Sequence, residues 1–180
     1  MLRKINAAIS ILLIVIYMLH GVLGSFTLLE ISPWAGKALA RFGLVLIGIH
    51  VLLGAILTVQ AFRVSAQKGE KYYKQNALFW TRRISGLVLA LCIAFHIGAF
   101  GETKAGRYVL VPFTTLKLIA QLMLIASLFI HIFINIRPLM LHIGSLKFRE
   151  RRIDIFLALS VLLLFFTATM IIYYIGWHVL

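Results

Sequence analysis

Apolar runs about as long as a bilayer-crossing helix alternate with short polar, basic stretches along the whole chain. A spanning helix needs roughly 20 mostly apolar residues. Five runs meet that length: Ile5–Leu28, Leu39–Phe62, Leu78–Phe100, Thr114–Ile136 and Ile153–Trp177. The pattern predicts an all-α integral membrane protein made of a single transmembrane domain spanning residues 1–180. The intervening stretches are short. Short connections favour antiparallel neighbours, so helices 1 to 4 are expected to form an up-and-down four-helix bundle, with helix 5 peripheral to it. Pro138 opens the connection 137–152 and is expected to end helix 4. The stretch 101–113, with Gly101, Gly106 and Pro112, reads as a loop.

Composition agrees with the pattern. Of the 180 residues 62% are hydrophobic, and the mean hydropathy is +1.03. Arg3 and Lys4 precede the first run, which is longer than a signal-peptide core and lacks a small-x-small cleavage site, so it is expected to be a retained helix. Cys92 is the one cysteine and lies within a span, which leaves no disulfide framework.

A net charge of +13 taken alone would suit nucleic acid, but its distribution points to the bilayer. Of the 18 Lys and Arg residues, Arg3, Lys4, Arg63, Lys68, Lys71, Lys74, Arg82, Arg83, Arg137, Lys147, Arg149, Arg151 and Arg152 fall on one side. Lys37, Arg41, Lys104, Arg107 and Lys117 fall on the other. The positive-inside rule places the richer side in the cytoplasm, which predicts a multi-pass protein of the cytoplasmic (inner) membrane with an internal N-terminus and an external C-terminus. Anionic lipid headgroups or an acidic soluble partner are the remaining candidates for the basic surface; no nucleic-acid role is expected.

Four histidines stand out against this background. His20, His50, His96 and His131 fall one on each of the first four spans, where a polar ring is costly without a partner. At about 1.5 Å per residue, His20 lies roughly 22 Å and His96 roughly 27 Å from the basic ends of their helices. His50 and His131 lie about 18 Å and about 9 Å deep by the same rise. The depths pair helix 1 with helix 3 towards the outside and helix 2 with helix 4 towards the inside. Zinc usually wants four ligands at one level. Haem iron wants two axial ligands on opposite faces of a large apolar ring, so two bis-histidine haem b groups fit the count and the surroundings.

Neighbouring residues bear on the same expectation. Gly24 and Gly54 each follow a histidine by four residues and share its face, which makes room for a porphyrin edge or for close helix packing. Arg82 and Ser85 project to the face of His96. Arg82 is a candidate for an inner-haem propionate or a quinone carbonyl, with snorkelling to the interface as the alternative. Arg83 projects to the opposite side, as an interfacial anchor would. Arg41 and Lys117 begin helices 2 and 4 and are candidates for outer propionates, and Asn135 shares a face with His131. A weak repeat is also visible: "RKINAAISILLIVIYMLHG" and "TRRISGLVLALCIAFHIG" each run from a basic start, through a small polar residue, to a histidine. Duplication of a helix pair and a shared task for helices 1 and 3 both explain it.

Five helices, histidines on the first four and the segment "FWTRRISG" resemble the membrane cytochrome b subunit of succinate dehydrogenases and fumarate reductases, of the single-polypeptide, two-haem type. The resemblance implies that His20 and His96 bind a distal haem and His50 and His131 a proximal one. It implies electron transfer between a cytoplasmic flavoprotein and iron–sulfur partner and a membrane quinone, menaquinone or ubiquinone. Glu30, Glu70, Glu102 and Glu150 fall in loops and Asp154 at the start of the fifth span, so no proton relay through buried acids is expected. A stand-alone membrane haem protein, for sequestration, tolerance or sensing, would use the same histidines and is the competing expectation.

Overall fold

The computed structural model describes residues 1–31, 37–67, 77–104, 107–142 and 148–179. Within them the helices are α1 (Leu2–Leu28), α2 (Lys37–Gln67), α3 (Ala77–His96), α4 (Thr115–His142) and α5 (Phe148–Val179). A two-stranded antiparallel hairpin, β1 (Gly101–Lys104) and β2 (Arg107–Leu110), lies between α3 and α4. Five helices are long and apolar enough to cross a membrane, and the protein is an all-α membrane protein. Large apolar side chains project outward, among them Leu116, Phe95 and Leu164 at 77%, 73% and 70% exposure, as a lipid-facing surface requires. Four hydroxyls on the spans are satisfied within their own helix: Ser10, Thr58, Ser160 and Thr169 each donate to the carbonyl four residues back.

α1 packs on α2 and on α4, α3 packs on α4, and α5 lies along α4 and α1. Two apolar cores hold this arrangement. Ile125, Phe129 and Ile132 of α4 meet Leu159 and Phe166 of α5, with Met18 and Val22 of α1 packed against them. Leu13 and Ile16 of α1 meet Leu46 of α2. Since lipid is as apolar as these side chains, close van der Waals fit rather than water exclusion holds such helices together. Gly21 shows how close the fit is. A Cβ built there would lie 2.6 Å from Cζ of Phe166, whose ring is buried and cannot swing away cheaply. Gly21→Ala is therefore expected to destabilise the α1–α5 contact by about 1–3 kcal/mol. Gly176→Ala, with nothing within 4 Å, should be neutral. Thermal unfolding in detergent compares the two.

Element ends differ from the sequence expectation in several places, beginning with the second helix, expected to end at Phe62 but running on to Gln67. The third helix, expected to reach Phe100, stops at His96, and Gly98 at φ 78° takes the left-handed conformation that turns the chain. The stretch expected as a loop pairs as a hairpin, with Gly101 opposite Leu110 and Lys104 opposite Arg107. Helix 4 runs through Pro138 to His142. A proline so near the end forfeits one backbone hydrogen bond, and the helix extends past it for another turn. Helix 5 begins at Phe148, not Ile153. The connection expected over 137–152 therefore shrinks to 143–147, which lies outside the described residues.

Candidate functional site

The four rings lie in two groups at different heights. Towards the hairpin end, the imidazoles of His20 on α1 and His96 on α3 meet edge-on, with centroids 6.1 Å apart and planes at 83°. Nδ1 of His96 lies 2.7 Å from Oε1 of Gln121, a residue only 2% exposed. The Phe100 ring leans on the outer side of His96, and Phe113 and Tyr173 close the space beyond it. The shell around this pair is thus apolar and aromatic, with one buried amide.

Towards the basic end, His50 of α2 and His131 of α4 line one cavity of about 680 Å³ walled by all four bundle helices. That volume is in the range of sites for large organic ligands, about 300–1,000 Å³. Nδ1 of His131 lies 2.9 Å from the Ser85 hydroxyl of α3, and Nδ1 of His50 lies 3.4 Å from the Ser10 hydroxyl of α1. Gly86 makes room for the first contact, since a Cβ there would stand 3.2 Å from Cε1 of His131. Three buried polar atoms on the cavity wall have no hydrogen-bond partner: Oδ1 of Asn6, the Tyr17 hydroxyl and Nε of Arg82. Orphaned polar atoms are expensive unless something polar meets them. They suit a ligand that is mostly apolar and carries a few polar or anionic groups.

The other sequence candidates divide. Arg82 and Asn135 line the cavity, and the Asn135 amide donates to the His131 carbonyl at 2.8 Å. Ser85 holds a histidine ring. Gly54 backs the same cavity, with Nη1 of Arg83 3.2 Å from where its Cβ would be. Arg83 was expected to turn away, yet it also lines the cavity, with its guanidinium 5.2 Å from the Phe79 ring centroid. Its long side chain can wrap around the start of α3, which a projection from the helix axis does not foresee. Gly24 has nothing within 4 Å of its Cβ position, so open space lies on that side. Arg41 is exposed on α2, and the Lys117 ammonium donates to the Pro112 carbonyl at 2.8 Å. Neither is drawn into a described cavity.

Sequence reasoning missed Ser10, Asn6, Tyr17, Gly86 and Gln121. The small polar residue in each half of the weak repeat was the available signal for Ser10 and Ser85. Gln121 carried one too, as an amide in an otherwise apolar run.

Among the described residues no group of three or more His, Cys, Asp or Glu side chains comes together to hold a metal ion. The nitrogen donors come in twos, which suits two axial positions better than a tetrahedral centre. The sequence matches no family model, and no curated protein or solved structure matches it.

Proposed function

We propose that this chain is a di-haem b-type membrane cytochrome that carries electrons between a cytoplasmic flavoprotein and iron–sulfur partner and a membrane quinone, as the cytochrome b subunits of succinate dehydrogenases and fumarate reductases do. The observation that carries the reading is the arrangement of imidazoles in two pairs at two heights, the outer rings 6.1 Å apart between centroids. Haem, when bound, supplies reversible one-electron chemistry.

The chain's own residues do the rest. His20 and His96 offer ring nitrogens from opposite sides of the outer site, and His50 and His131 do so at the cavity. Aromatic side chains surround the outer pair and keep that site apolar. Arg82, with Arg3 and Arg83 on the same wall, offers charge-assisted donors to propionates or to a quinone carbonyl. Two sites stacked along the bundle make a path through the bilayer. By the positive-inside rule the cavity end faces the cytoplasm, so the reading places the N-terminus inside the cytoplasmic membrane.

Purification from native membranes tests the assembly. Flavoprotein and iron–sulfur subunits should accompany the chain, and a quinol analogue should reduce its haem in vesicles. A chain that purifies alone, resists quinol and whose loss makes cells sensitive to haem would instead support the stand-alone role.

A further inference from the structure

Polar side chains are few inside this bundle, and three of them lie against histidine rings. Each reaches a neighbouring helix: Ser10 of α1 to His50 of α2, Ser85 of α3 to His131 of α4, and Gln121 of α4 to His96 of α3. The direction of each proton can be worked out. A serine hydroxyl has one hydrogen to give. Ser10 gives its hydrogen to the Asn6 carbonyl at 2.8 Å, and Ser85 gives its own to the Arg82 carbonyl at 3.0 Å. Each Oγ is left to accept, so the facing Nδ1 must be the donor. Gln121 presents its carbonyl oxygen, which only accepts. All three rings therefore carry hydrogen on Nδ1 and keep the Nε2 lone pair free.

We infer that Ser10, Ser85 and Gln121 are positioning residues that lock His50, His131 and His96 in the Nδ1–H tautomer, so that Nε2 is the nitrogen offered to a metal. What Nε2 receives rests on the proposed function; the tautomer belongs to the chain alone. A partner on the far nitrogen also raises the basicity of a ligating imidazole and so favours the oxidised metal. Gln121 makes the shortest of the three contacts and is deeply buried, so its effect is the largest. His20 has no such side-chain partner among the described residues, so the outer site is held firmly from one side only.

Nitrogen-15 NMR of the full-length, histidine-labelled chain, prepared without haem, reads the tautomer directly. Nδ1–H should dominate at His50, His96 and His131. Gln121→Leu, close in volume, should return His96 alone towards the Nε2–H form that water favours, while Gln121→Glu should keep Nδ1–H. Should Gln121→Leu fail to fold, Ser85→Ala provides the same readout at His131. Dominant Nε2–H at the three rings of the parent chain, or an unchanged tautomer at His96 in Gln121→Leu or at His131 in Ser85→Ala, overturns the inference. On haem-loaded protein, Gln121→Leu should raise the midpoint potential of one site with haem content unchanged, whereas a merely structural role would lower thermal stability and move neither potential. A chain that takes up no haem contradicts the proposed function, and the NMR result still decides the tautomer.

Discussion

Replacing His96 by alanine is expected to halve the haem bound per chain. The outer site loses one of its two facing rings, and His20 alone offers one axial ligand where a six-coordinate iron needs two. The inner pair stands on other helices with its own serine partners, so it should keep its cofactor. A second effect accompanies the first. Oε1 of Gln121 loses its donor in a place only 2% exposed, which costs about 1–3 kcal/mol. The double substitution His96→Ala with Gln121→Leu should therefore recover stability without recovering haem. Pyridine haemochrome against protein concentration measures the first quantity, and thermal unfolding the second. An unchanged haem ratio would refute the assignment of His96 as a ligand.

Gly86→Val should empty the inner site without touching a ligand. A Cβ at this position stands 3.2 Å from Cε1 and 3.7 Å from Nδ1 of His131, and a branched side chain adds bulk beyond it. The ring must turn, and turning breaks its contact with Ser85 on the same helix as Gly86. Haem content should again fall by about half, this time with the outer signal retained. Gly48→Val, where nothing lies within 4 Å of the Cβ position, should leave both sites filled. The contrast separates displacement of one ring from a general intolerance of larger residues in the spans.

Much of this architecture was legible in the sequence because the bilayer imposes one strong rule. Every spanning segment must be apolar and long, so hydropathy alone located five helices to within a few residues at most ends. The exceptions have local causes. The start of α5 is charged, with Arg149, Glu150, Arg151 and Arg152 in its first turns, and hydropathy cannot see a helix that continues out of the apolar zone. The hairpin is four residues a side and carries no alternation strong enough to announce it. Helix projection put Arg82 on the inward side and Arg83 on the outward one, and both line the cavity because a long side chain reaches around its helix.

The candidate site was half visible. Histidines in lipid-spanning segments are rare enough to be noticed singly, and the helical rise ordered them by depth. Their supporting residues were not visible, because a serine in a membrane helix ordinarily satisfies itself on its own backbone, as Ser160 does. Ser10 and Ser85 do this as well and still have a lone pair left for a ring on the next helix. The weak repeat between the first and third spans takes on a physical meaning here. Each half ends in an outer-site histidine and carries a serine that holds the inner-site histidine of the helix that follows.

The most direct measurement is an absorption spectrum of the purified full-length chain, oxidised and reduced, with haem counted against protein. Two b-type haems per chain with six-coordinate low-spin bands are the expected result. A colourless polypeptide after expression with ample haem supply, or a spectrum without low-spin features, would contradict the pairing of imidazoles across the bundle as iron ligands.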